Sequence, residues 1–307
     1  MRARAYAEAD APAWEAALRA SRNGTFLFSR PYMGYHESRF PDASLLIGRE
    51  GRPPALLPAC EAGDAVASHA GLSYGGLVVP PGWGLGEAEA ALTEAAEAAR
   101  ARGARRLTYR PVPAIYHRAP AEEDRAALAR LGARLTRSDA LAVLPPGGPP
   151  PASARRRDIA RGRRAGITLG WSEEWEAYWA LLTAHLGIHH GVAPVHSLAE
   201  ITLLAGRFPW NIRLFTAARA GRLLGGLVLY RAPPVLHVQY AAGNDEARAT
   251  RALDAAFAAA IAGAHAEGLT FDFGVSSGPS GRGAGLQRYK ESFGARAVMQ
   301  DTYELEL

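Results

Sequence analysis

The stretch F-D-F-G-V-S-S-G-P-S-G-R-G-A-G-L-Q-R-Y-K-E-S-F-G-A, Phe271 to Ala295, decides how this chain folds. Phe271 and Phe273 alternate with Asp272, which marks a strand with the acid on the face opposite the two rings. A run of glycine, serine and proline follows, where neither helix nor strand persists. Then L-Q-R-Y-K-E-S-F-G reads as an amphipathic helix carrying Lys290 between Tyr289 and Phe293. The glycine run and Arg282, set before the unpaired N–H groups of a helix start, form a candidate anion cradle. The same glycines also suit a connection that only has to turn.

Working outward, the segment before this strand repeats an order met earlier in the chain. L-H-V-Q-Y-A-A-G (Leu236 to Gly243) is a strand, a helix runs from about Glu246 to Glu267, and G-L-T-F-D-F-G re-enters the sheet. In the first half, S-H-A-G-L-S-Y-G-G (Ser68 to Gly76) reads as a short strand, an alanine-rich helix covers Gly86 to Arg102, and L-T-Y (Leu107 to Tyr109) echoes L-T-F. Both halves open with a short strand and a tryptophan-bearing helix, the second with Ser172 as expected N-cap. A hairpin is expected with its turn at Ala220-Gly221. The order is helix, helix, three antiparallel strands, long helix, strand, short helix, strand. The fold class expected is mixed α/β in two tandem copies, with the sheet open where the third strand meets the next.

The linker L-P-P-G-G-P-P-P-A-S (Leu144 to Ser153) excludes helix and central strand, and divides the 307 residues into expected domains 1–148 and 149–307. A hydrophobic fraction of 48% supplies two cores and excludes global disorder. The single cysteine, Cys60, forms no disulfide within one chain and fits a reducing cytosol. No apolar signal core opens the chain, and no window of about 18 charge-free apolar residues occurs. The expectation is a cytoplasmic protein without a membrane partner. Net charge is +5, and S-A-R-R-R-D-I-A-R-G-R-R-A-G (Ser153 to Gly166) concentrates six arginines against one aspartate. Arg157, Arg161 and Arg164 share one helical face, a phosphate-binding patch or a solvated surface.

These residues carry a resemblance. H-V-Q-Y-A-A-G-N (His237 to Asn244), F-D-F-G, G-L-Q-R-Y-K-E-S-F-G-A, the N-terminal T-F-L-F-S-R-P-Y-M-G-Y-H, the Y-G-G at Tyr74 and the basic run are similar to the Fem-type (FemAB-like) aminoacyltransferases, within the Gcn5-related N-acetyltransferase (GNAT) superfamily. The resemblance implies transfer of an activated acyl group to an amine, with a cleft between two domains. Most of the superfamily takes the acyl group from acyl-coenzyme A; Fem-type members take it from aminoacyl-tRNA. The coenzyme A turn is an Arg or Gln, two residues, Gly, one residue, then Gly or Ala. Here Arg248 opens that pattern, but Arg251 and Leu253 stand at its small positions, where side chains obstruct approach to a pyrophosphate. Aminoacyl-tRNA is therefore the expected donor, with no resident cofactor and a small-molecule or peptide amine as acceptor.

The resemblance places Lys290 at the acyl-donor site, with Phe293 in the same motif. Asp272 would orient Lys290 or accept a proton, or pair with a core arginine. His237 is a candidate base and Tyr240 a candidate oxyanion donor. Three apart on one strand, the two are expected on opposite faces. The H-L-G-I-H-H-G-V-A-P-V-H cluster lacks the glutamate of a zinc helix, so no metal site is expected. The resemblance implies an acceptor-site role for its His196; Tyr32, Tyr35, His36 and Arg39 of the first half line the same cleft or pack an N-terminal turn, and Tyr74 is a further substrate-binding candidate. Arg157, Arg161, Arg164 and Arg282 complete the substrate-binding candidates. Two other readings stay open: an acyl-coenzyme A-dependent N-acetyltransferase, and a non-catalytic fold that binds RNA or a phosphorylated ligand.

Overall fold

The computed structural model describes residues 1–276 and 283–307, with the backbone only at His190. The candidate Arg282 and most of the glycine-rich loop lie outside the described residues. The chain divides into two compact units, Met1–Asp139 with Met299–Leu307, and Ala140–Val298. This division precedes the proline-rich segment, and the last residues of the chain belong to the first unit.

The first unit begins with β1 (Arg2–Ala5), α1 (Ala11–Ala20), α2 (Arg30–Met33), β2 (Leu45–Gly48) and β3 (Ala55–Leu57), and the three strands form an antiparallel sheet. Then come β4 (Cys60–Ala62), β5 (Ala65–Ala67), α3 (Leu85–Ala101), β6 (Arg106–Tyr109), α4 (Glu123–Arg130) and β7 (Arg134–Leu144), whose residues from Ala140 onward belong to the second unit. β5 runs parallel to β6. α3 buries Ala88, Ala91, Leu92, Ala95, Ala96 and Ala99, a stripe at helical spacing that lies on this core. The strand expected over 68–76 ends at Ala67 instead. His69 takes a left-handed conformation there (φ 58°), which breaks the pleat.

The second unit contains α5 (Ser153–Arg164), β8 (Thr168–Ser172), α6 (Trp175–His190), α7 (Leu198–Arg207), β9 (Ile212–Arg219), β10 (Arg222–Ala232), β11 (Val235–Gly243), α8 (Asp245–Thr250), α9 (Ala252–Ala266), β12 (Thr270–Val275) and α10 (Ala284–Glu291). The final strand β13 (Arg296–Glu306) pairs antiparallel with β6 through Tyr303↔Tyr109 to Glu306↔Arg106. β8 to β11 form an antiparallel meander, and β12 lies parallel to β11. Ala220 and Gly221 both have positive φ (48° and 76°), the geometry a tight hairpin needs. Ser172 is the last residue of β8 rather than the N-cap of α6. Its hydroxyl accepts the Glu174 N–H at 3.1 Å and so shapes the turn into that helix.

Two departures from the sequence expectation shape the site. The helix expected over 246–267 is broken into α8 and α9 at Arg251, which is left-handed (φ 62°). β11 carries a bulge: Val228 faces Tyr240 and Leu229 faces Val238, so Gln239 has no partner of its own. The extra residue resets the alternation. Leu236, Val238 and Ala241 pack on the α9 core, which puts His237 and Tyr240 together on the other face. The expectation of opposite faces fails because strand parity holds only in an unbulged ladder.

Candidate active site

The β11–β12 ladder has three rungs, Val235↔Thr270, Leu236↔Phe271 and His237↔Asp272, and stops there. Beyond the last rung the strands part. β11 continues to Gly243, while Gly274 (φ 73°) turns β12 toward its pairing of Val275 with Leu141. Only glycine suits position 274: φ is positive, and an added Cβ would lie 3.2 Å from His237 Cε1.

The groups at this wedge are linked. Asp272 is fully buried; its Oδ1 accepts the Gly274 N–H at 2.7 Å, and its Oδ2 lies 2.8 Å from His237 Nδ1. Phe271 and Phe273 flank it in the opposite core, so the strand period drives the carboxylate to this face. The carboxylate at Nδ1 favours the tautomer protonated there, which leaves Nε2 as the basic nitrogen. Lys290, the only lysine in the chain, is buried and donates from Nζ to Gly274 O and Val275 O, both at 2.8 Å. Burial lowers its pKa from 10.5 to about 8, against the opposing pull of Asp272. Neighbouring on β11, Tyr240 Oη lies 2.7 Å from His196 Nδ1, and its ring meets Trp179 of α6 edge-on at 5.3 Å. Burial raises the Tyr240 phenol above its ordinary pKa, so it stays a donor at neutral pH.

Residues 153–291, from α5 through α10, match the family model described as acetyltransferase (GNAT) domain. That match supports acyl transfer as the activity of this segment. Among solved structures the whole chain is similar to FemX, at TM-score 0.73 and 13% identity over 100% of this chain and 98% of that one. It is also similar to L-PGS from Bacillus licheniformis, at TM-score 0.64 and 13% identity over 95% and 90%. A tandem GNAT protein from the clavulanic acid biosynthesis pathway aligns at TM-score 0.55 and 14% identity over 99% and 98%. A sequence comparison with curated proteins gives no match.

Within the matched segment, α9 begins after β11 and the short α8. That start is covered by protein groups. Arg251 Nε lies 3.3 Å from Asp158 of α5, and Gly162 of α5 sits so close that a Cβ there would be 2.5 Å from Arg251 O. Asp254, in the first turn of α9, is buried and paired with Arg155, and it accepts from Tyr289 Oη at 3.0 Å. Burial raises the Asp254 pKa, and the Arg155 charge counters it. A carboxylate thus occupies the helix start, where the dipole favours an anion.

The remaining candidates separate. Arg157, Arg161 and Arg164 are exposed on α5, while Arg155, which sequence reasoning did not single out, turns inward over the rings of Tyr289 (4.3 Å) and Phe293 (4.8 Å). Phe293 is fully buried among Phe257, Phe273 and Tyr289; it anchors α10 and has no surface to offer a substrate. In the first unit, Tyr74 is buried against Phe28 and Tyr116, with its Oη donating to Thr25 Oγ1 at 3.2 Å. His36 is buried, with Nδ1 2.7 Å from Met33 O, and half-buried Tyr35 stacks on its ring at 4.2 Å. Packing accounts for Tyr74 and His36, leaving Tyr35 the more accessible of the three. No described helix is long and apolar enough to cross a membrane.

Proposed function

We propose that the protein transfers an aminoacyl group from aminoacyl-tRNA to an amine on a small molecule or peptide. The observation that carries this reading is the end of the β11–β12 ladder, where His237, Asp272 and the one lysine meet. Asp272 orients the imidazole; the acceptor ammonium gives its first proton to solvent, and His237 Nε2 takes a second proton from the nitrogen as it attacks. The amine nitrogen attacks the ester carbonyl carbon, and the bond to the ribose oxygen breaks as the amide forms. The proton held by His237 passes to that leaving oxygen. Among the described residues two of the three Lys290 donors meet β12 carbonyls; the third, with its positive charge, serves the oxyanion.

The choice of donor is supported by the covered start of α9, where side chains and α5 stand in the place of a pyrophosphate. The fold likeness to FemX and the resemblance of the Lys290 motif to Fem-type enzymes agree with it. The exposed arginine face of α5 suits the phosphates of an RNA.

The test is a transfer assay with tRNA charged with radiolabelled amino acids and a panel of amines. Amide product that disappears after ribonuclease treatment is expected. His237→Gln should lower kcat by about 10²–10⁴-fold with the fold intact. Label transferred from acyl-coenzyme A instead, with a rise in Tm on adding coenzyme A, would replace this reading with the acetyltransferase one.

A further inference from the structure

On the face of the second unit's sheet that carries α9, beside the C-terminal half of that helix, lies a cavity of about 580 Å³. It is on the opposite face from His237 and Tyr240. Its floor is apolar and buried: Leu229, Leu236 and Leu269, with Ala260 and Ala264 of α9. Trp171 and Trp210 stand at the mouth, 50% and 80% exposed. The volume falls within the range of small-ligand pockets.

Two observations say what fits. Gly263 lines the cavity in the interior of α9, where glycine weakens a helix relative to alanine. A Cβ built there meets nothing within 4 Å, so neither packing nor backbone conformation calls for glycine, and its absence of side chain leaves room. The second observation is charge. Arg231 and Glu267 neutralise each other at 2.9 Å. Half-buried Arg213 lies 3.8 Å over the Trp171 ring and, among the described residues, meets no carboxylate. The lining therefore carries one uncompensated positive charge beside an apolar trough.

We propose that this cavity binds a small amphiphile with an apolar body and a single anionic head, held by Arg213 with the body along α9 past Gly263. One net positive charge suits a monoanion better than a polyanionic nucleic acid, and it repels a cation. Arg213 covers one face of the Trp171 ring system, and Phe215 makes a T-shaped contact with it at 5.2 Å. The site is independent of the proposed donor and acceptor.

Isothermal titration calorimetry on the intact protein with octanoate, 1-octanol and octylammonium, below micellar concentrations, tests it. Octanoate should saturate at one per chain. 1-Octanol should bind about tenfold more weakly, and octylammonium should not bind. Gly263→Leu, a substitution that favours the helix, should abolish octanoate binding with Tm maintained. Arg213→Ala should reduce octanoate to the level of 1-octanol. Octanoate heats that do not saturate, equal binding of the three probes, or binding unchanged in Gly263→Leu would overturn the assignment. So would sedimentation showing a dimer that Gly263→Leu dissociates, because the cavity would then belong to a second copy.

Discussion

Lys290 answers for much of the chemistry at the scale of single residues. Being the one lysine, it gives a single side-chain signal in protein labelled with ¹³C-lysine. Its ammonium should titrate near the lowered value of about 8, and Asp272→Asn should move it lower still, because Asp272 is the group that raises it. An unchanged titration in Asp272→Asn would show that the two do not interact. The sign for stability follows from linkage. Between about 8 and 10.5 the unfolded chain binds the proton and the folded one releases it, so the stability contributed by this site rises with pH over that window. Lys290→Met removes the dependence. Its stability relative to the parent should fall as pH rises from 8 to 10.5, as read by urea denaturation at each pH. Asp272 and Lys290 were legible in the sequence because a polar residue between phenylalanines and a lone lysine in an arginine-rich chain both stand out. The Asp272–His237 contact was not, since adjacency of two strands far apart in the chain leaves no local signal.

Between elements, the contact of α5 with α9 decides what the start of α9 can bind. Gly162→Ala adds a Cβ 2.5 Å from Arg251 O. Despite alanine's better helix propensity, it should destabilise the protein by about 1–3 kcal/mol, the usual cost of forcing an overpacked contact. An unchanged denaturation midpoint would mean α5 does not rest on Arg251. The arginines of α5 divide by direction. Arg155 is spent on Asp254 and two rings, whereas Arg157, Arg161 and Arg164 face solvent. Replacing those three with alanine should weaken tRNA binding and lower the slope of log K against log salt by up to about 0.7–0.9 per arginine that contacts phosphate. A slope that stays the same would remove the RNA from this face. The basic run showed at once in the sequence. Which of its members turns inward did not, because both faces of α5 carry arginine and only the packing of α9 and α10 distinguishes them. The bulge at Gln239 was equally silent: an inserted residue looks like any other until the partner strand counts it.

The chain returns at its end to where it began. Met299–Leu307 belong to the first compact unit, and β13 supplies the strand beside β6. Deleting residues 299–307 should therefore expose β6 of the first unit. Hydrogen exchange should show β6 amides losing protection more than those of β9 and β10; equal loss in both would contradict the division. The proline-rich linker had set the expected boundary at 148/149, since prolines visibly interrupt structure, but no residue type marks a strand that pairs with the other half of the sequence. What local chemistry dictates was readable along the chain: the alanine stripe of α3, the Ala220-Gly221 turn, the alternation around Asp272, and the repeated order of elements. Each depends on neighbours a few residues away. What long-range packing dictates was not: the face Tyr240 takes, the burial of Phe293 and Tyr74, the closed start of α9 and the partner of the last strand. Those depend on which surfaces meet once the backbone has collapsed, and the free energy that selects them comes from contacts between residues tens to hundreds of positions apart.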